Sequence, residues 1–306
     1  MFLQFARFAL AILACAISIL PANAEPLTLE HQGIARQYLE HRPAAAPAGP
    51  LPLMIYLHGV RPPDWKIRTR PELDALAGKS GFIAVYPKAV REHWNYAAVT
   101  SAPPAMAGDQ VADDVAYIGK LIELYTTQKG ADPARVYIIG DSRGGLMAFS
   151  LMCQLADKIA AAAPLITGMT DKQLDVCKPS RPVPLMAVAG TNDIIQHYDG
   201  WLYEKFRIVS VPETMEFWRR QHGCTGQQGE LLPRGAQETS TRVIAISWTG
   251  CKTDNAVKLY RVNGGGHQVP SIAAPASPDW IKQGGAQNHD IETVNEFWTF
   301  AKRFVR

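Results

Sequence analysis

"YIIGDSRGGLMAFSLM", Tyr137 to Met152, changes character halfway along. Its first half is a short apolar run of the kind that forms a buried strand; its second half has apolar residues at helical spacing. Between them stands Gly140-Asp141-Ser142-Arg143-Gly144. A strand that must become a helix at once needs glycine where backbone meets backbone, and it leaves the corner residue exposed. The pattern predicts a strand, a sharp corner at Ser142 and a helix from about Arg143 to Asp157.

Outward from this corner the same grammar repeats. "PLPLMIYLH" (Pro50–His58), "FIAVYP" (Phe82–Pro87), "PVPLMAVAG" (Pro182–Gly190), "TRVIAIS" and "AVKLYRV" read as strands. "LDALAGKSG", "PETMEFWRRQHG" and "DIETVNEFWTFAKRF" read as helices, and "DDVAYIGKLIELYTTQKG" is an amphipathic helix that opens with acids and stops at glycine. Unbroken apolar strands alternating with helices predict an α/β fold, with a mostly parallel central sheet and helices on both faces. There is no internal repeat or long linker, so residues 25–306 read as a single domain.

Residues 1–24 read as a secretory signal peptide. "MFLQFAR" is basic, "FALAILACAISIL" is apolar, and "PANA" supplies small residues for cleavage before Glu25. The apolar run is short for a span, which needs about 20 residues. A lipoprotein site at Cys15 is the weaker alternative. The expectation is export to the periplasm or the medium, with no transmembrane segment in the mature chain.

The sequence has 31 Lys and Arg against 28 Asp and Glu, a net charge of +3. Arg7 leaves with the leader, and the remaining charges form no basic cluster. Nucleic acid is therefore not expected as a partner. Cys153, Cys177, Cys224 and Cys251 remain after export, an even count that favours two disulfides. Three connectivities are possible, and pairing of sequence neighbours is the simplest. A four-cysteine metal site is disfavoured, because no close C-x-x-C pair exists.

A glycine-flanked serine between a strand and a helix fits the nucleophile-elbow pattern. Its hydroxyl needs a base to take its proton, and the base needs an orienting acid. In this topology they follow in the order serine, acid, histidine. Asp193 lies just past one strand, with Asp199 as second choice. His267 follows the last strand on a glycine loop, "NGGGHQVP", expected to be flexible, with His289 in reserve. Strand ends are where open α/β sheets bind ligands. An oxyanion hole would use the N–H of Arg143 and one from "LHGVRPP". Pro62 and Pro63 have no N–H, which leaves Gly59, Val60 or Arg61, with Val60 preferred. His58 reads as a structural hydrogen-bonding residue.

Together these residues resemble the secreted polyhydroxybutyrate depolymerase and feruloyl-esterase group of α/β-hydrolase serine esterases. "LPLMIYLHG", "SGFIAVYP", "HWN", "DPARVYIIG", "RPVPLMAVAGTND" and "NGGGHQVP" carry the resemblance, which covers nearly the whole chain after the leader. It implies a Ser142, Asp193 and His267 triad, no metal or organic cofactor, and disulfides Cys153–Cys177 and Cys224–Cys251. Small-molecule or oligomeric esters are the implied partners. Asp141, Arg143, Gln268 and Val269 depart from the group's usual residues and flank the expected acyl site. Arg143 either pairs with Asp141 or meets a substrate carboxylate. The final helix ends near Arg306, so no polymer-binding module is expected, and soluble hydroxyalkanoate oligomers or feruloyl and acetyl esters are favoured over polymer. The rival readings are a prolyl-oligopeptidase-like peptidase and a non-catalytic exported binding protein.

Overall fold

A computed structural model describes residues 25–60, 66–67, 69–90, 94–96, 112–203, 206–237, 239–253 and 256–306. The expected leader, Cys15, and residues Arg61, Pro62 and Pro63 lie outside the described residues.

The described residues begin with a hairpin, β1 (Leu27–His31) and β2 (Ile34–His41), followed by β3 (Leu51–Leu57), α1 (Pro71–Ser80), β4 (Ile83–Pro87) and α2 (Asp114–Gln128). The expected corner joins β5 (Ala131–Asp141) to α3 (Arg143–Gln154), followed by β6 (Ala161–Leu165), α4 (Asp171–Val176) and β7 (Leu185–Gly190). A small ribbon, β8 (Trp201–Tyr203) and β9 (Phe206–Ile208), leads into α5 (Val211–Gln221). The chain closes with β10 (Gly226–Leu231), β11 (Arg242–Thr249), β12 (Val257–Asn263), α6 (Pro278–Gly284) and α7 (Thr293–Ala301).

Among the described residues one sheet has the order β1-β2-β4-β3-β5-β6-β7-β12-β11-β10. The centre, from β4 to β12, is parallel throughout. Both edges are antiparallel, β2 and β1 on one side and β11 and β10 on the other. Alternate residues along the central strands enter two separate apolar clusters, as a period of two requires. Leu53, Ile55, Ile138 and Ala187 pack against α2, α3 and α5, whereas Met54, Tyr56, Ile139 and Val188 pack against α1 and α7. This is the α/β-hydrolase fold.

Three parts of the sheet carry no strand signal in the sequence: β6, the β1–β2 hairpin and the edge strand β10, "GQQGEL", which is polar and mostly exposed. β6 is "AAAPL", wholly buried, with Ala162 in one cluster and Ala161 and Ala163 in the other. Alanine is the best helix former and is depleted in strands, so its local signal points away from the outcome. Small side chains are what a strand between two helix layers can accommodate here. The β1–β2 hairpin is half exposed and reads as polar; its turn at Gln32 and Gly33 has φ of 51° and 74°, as a two-residue hairpin requires.

Cys153 is bonded to Cys177, tying α3 to the end of α4, and Cys224 is bonded to Cys251. Among the described residues no helix is long and apolar enough to cross a membrane.

Candidate active site

Ser142 is the hinge between β5 and α3, with φ 54° and ψ −117°. A non-glycine residue at positive φ persists only when its surroundings hold it there. Its N–H donates to the Leu165 carbonyl at 2.9 Å. A Cβ on Gly140 would lie 2.3 Å from the Gly144 carbonyl oxygen, and one on Gly144 would lie 2.1 Å from that of Leu57. Both glycines therefore let α3 press against the ends of β3 and β5. The first-turn N–H groups of α3, Arg143 included, have no acceptor within the helix and carry its partial positive charge.

Asp193 follows β7 in a tight turn. Its Oδ1 accepts the backbone N–H groups of Ile195 and Gln196, both at 2.8 Å, and its Oδ2 lies 2.7 Å from His267 Nδ1. A carboxylate can only accept, so Nδ1 carries the proton and Nε2 is left as the acceptor. That Nε2 lies 2.9 Å from Ser142 Oγ. Asp193 and His267 are each only 4% exposed, which shields the pair from competing water.

The loop that carries His267 is packed rather than slack, contrary to expectation. A Cβ on Gly266 would lie 2.1 Å from the Gly284 oxygen, and one on Gly190 would lie 2.3 Å from the Gly265 oxygen. The His267 N–H donates to the Gly284 carbonyl at 2.5 Å, seating the loop on the end of α6. Glycine serves close approach here, and the imidazole is held in place by it.

Gln196 was not singled out from sequence. Its Nε2 donates to Ser142 Oγ at 3.3 Å, and the Thr167 hydroxyl donates to its amide oxygen. Ser142 Oγ thus accepts from one side and donates to His267 on the other. A lone glutamine in a turn has no sequence signature, so only its position three residues after Asp193 could have drawn attention.

Ser142 stands between two cavities. The larger, about 330 Å³, is lined by His267, Arg70, Asp141, Gln268, Trp280 and Gln287 among others. The smaller, about 160 Å³, is lined by Arg143, Tyr96, Leu146, Gln196, Trp201 and Ile208. Val60 borders both and is well exposed.

Asp141 and Arg143 do not form the ion pair that was one of two expectations for them; among the described residues Arg143 has no ion-pair partner. Asp141 is buried and lies near Arg70 instead. Arg70 also contacts Glu72 at 2.6 Å and donates to the Tyr56 hydroxyl at 3.0 Å. Burial disfavours the Arg70 charge, but Tyr56, Glu72 and Asp141 outweigh it and raise the guanidinium's pKa. The alternation of strand and helix explains the separation: Asp141 ends a strand and Arg143 starts a helix, so their side chains leave the corner in different directions.

His58 is buried beneath the site: its Nε2 accepts from Ala89 N–H at 3.1 Å and its carbonyl accepts from Trp94 Nε1 at 2.8 Å. Asp199 is exposed, and His289 bonds the Ser271 carbonyl at 2.5 Å. Neither reserve candidate joins the Ser142 chain of hydrogen bonds.

No family model matches the chain. It is 34% identical over 163 residues to feruloyl esterase B of Piromyces equi, a match covering 51% of this chain and 29% of that protein. It is 26% identical over 235 residues to the bifunctional acetylxylan esterase/xylanase XynS20E of Neocallimastix patriciarum, covering 76% of this chain and 31% of that protein. The chain thus spans about a third of the length of these two relatives. The solved acetyl xylan esterase from Aspergillus awamori superposes with a TM-score of 0.53 at 14% identity, covering 77% of this chain and 90% of that one. That likeness shows the shared fold. The chain is thus similar in sequence to these two esterases and shares its fold with the third.

Proposed function

From a fold and relatives shared with α/β-hydrolase esterases, we propose that this protein is an exported serine hydrolase of carboxylic esters. The observation that carries the reading is the unbroken line Asp193 Oδ2, His267 Nδ1 and Nε2, Ser142 Oγ, with spacings of 2.7 and 2.9 Å.

Ser142 Oγ attacks the ester carbonyl carbon while its proton passes to His267 Nε2. Asp193 fixes the imidazole and stabilises the imidazolium. The carbonyl oxygen becomes an oxyanion, held by the N–H groups of Arg143 and Val60. On collapse the bond to the alcohol oxygen breaks, and His267 returns the proton to that oxygen. Water then attacks the acyl-enzyme with His267 as base, releasing the acid and restoring Ser142. No step calls for a metal or organic cofactor.

The protein's substrates in this reading are soluble feruloyl or acetyl esters or hydroxyalkanoate oligomers. The exposed Trp280 ring, in the cavity that His267 lines, suits the apolar face of a sugar alcohol, while the Gln268 and Gln287 amides are held by backbone groups of the cavity wall. Labelling by a fluorophosphonate probe tests the reaction class. Wild-type protein is expected to label and to hydrolyse 4-nitrophenyl acetate, with both lost in Ser142→Ala. A labelled Ser142→Ala protein would point to another nucleophile.

A further inference from the structure

The two cavities beside Ser142 are charged differently, and the position of His267 decides which part of an ester enters each. This rests on the ester-hydrolase reading. At the tetrahedral carbon, the nucleophile, the oxyanion, the acyl chain and the departing alcohol oxygen occupy four corners. One imidazole nitrogen must reach both Ser142 Oγ and the departing oxygen, since it takes a proton from the first and gives it to the second. His267 lines the larger cavity and not the smaller. The alcohol therefore leaves through the larger cavity, and the acyl chain occupies the smaller.

On the alcohol side the cation is already matched. Arg70 contacts Glu72 through both Nε and Nη2 at 2.6 Å, and Asp141 adds a second carboxylate to its surroundings. Another carboxylate there meets two like charges for one cation. The acyl side is the reverse. Leu146, Trp201 and Ile208 give it apolar walls, and half-buried Arg143 borders it with no ion pair among the described residues. A guanidinium flanked by apolar surface is partly stripped of water, and a planar carboxylate matches its donors in pairs.

We infer that the acyl cavity selects acyl groups that carry a carboxylate, as half-esters of short dicarboxylic acids do, and that the Arg143 side chain is the residue that reads it. The carboxylate sits at the far end of the acyl chain, pairs with the guanidinium and takes no part in bond making.

Four esters test this by kcat/KM, with the enzyme-free rate subtracted. Mono-4-nitrophenyl adipate and 4-nitrophenyl hexanoate differ by a carboxylate on the acyl side. 4-Acetoxybenzoate and phenyl acetate differ by one on the alcohol side. Comparing each charged-to-neutral ratio between wild type and variant cancels intrinsic reactivity. Arg143→Ala is expected to lower the adipate-to-hexanoate ratio about tenfold or more, as loss of a charged hydrogen bond does. The alcohol-side ratio is expected to move by less than about twofold, and Arg143→Lys to keep part of the preference. Arg143→Gln gives the same comparison if the alanine variant does not fold. An adipate ratio that moves by less than about twofold overturns the inference, as does an equal fall in both ratios, which would reflect a general field. Wild-type turnover of hexanoate without these shifts defeats this inference alone. No turnover of any of the four esters defeats the ester-hydrolase reading beneath it.

Discussion

Gln196 hangs from the same turn as Asp193 yet ends on Ser142: its backbone N–H binds the Asp193 carboxylate at 2.8 Å, and its side-chain amide reaches Ser142 Oγ at 3.3 Å. The turn that orients the imidazole therefore also orients the hydroxyl. A serine rotor with a donor on one side points its proton to the acceptor on the other, here His267 Nε2.

Gln196→Ala is expected to lower kcat on 4-nitrophenyl acetate about fivefold to tenfold, the worth of one net hydrogen bond, with KM within about twofold. Thr167→Val, which frees the amide to flip, should move kcat the same way. Steady-state kinetics of the two variants is the check, and an unchanged kcat in Gln196→Ala would remove the positioning role.

Glycines at the corner and in the first helix should behave oppositely. Gly144→Ala forces a Cβ to within 2.1 Å of the Leu57 carbonyl oxygen and is expected to cost more than about 4 kcal/mol. Gly78 sits inside α1, where an added Cβ meets nothing within 4 Å. Gly78→Ala is expected to stabilise by about 0.5–1 kcal/mol through helix propensity. Thermal melts of both variants test the contrast, and a tolerated Gly144→Ala would mean that α3 can move away from β3.

His222 links stability to pH. It is buried, its Nε2–H donates to the Val183 carbonyl at 3.0 Å, and its Nδ1 has no hydrogen-bond partner among the described residues. Burial lowers its pKa, the Val183 contact opposes this, and Arg181 adds to the lowering. The unfolded chain takes up the proton first, so this stability is present above the ordinary histidine pKa of about 6.5 and is lost as pH falls through the lower folded value. His222→Gln keeps a donor for Val183 but does not titrate. The melting temperature of wild type is expected to fall relative to His222→Gln between about pH 7 and pH 5; a constant difference would show that His222 does not contribute.

The disulfides close segments of 24 and 27 residues. Loop-closure entropy assigns each about 3 kcal/mol. Cys153→Ala with Cys177→Ala is expected to lower the guanidinium-chloride midpoint by that free energy divided by the m-value. An unchanged midpoint would mean that the unfolded chain is not restrained by this link.

The sequence by itself determined the features that are local. Gly140 and Gly144 announce the corner at Ser142 because a missing Cβ is a property of one residue, and the unbroken apolar runs of β3 and β7 and the helical apolar period of α2 are equally local. The order of serine, acid and histidine along the chain was legible too. Other features were decided only when distant segments packed. The alanines of β6 became a strand because both faces were covered, against their own preference. Asp193 rather than Asp199 faces His267 because a turn after β7 aims one carboxylate inward. Asp141 went to Arg70 and left Arg143 beside a separate cavity, which no spacing between neighbours could reveal. Distances between residues far apart in the chain are fixed by the sheet order and by backbone contacts such as Gly190 against Gly265, and those exist only in the folded molecule.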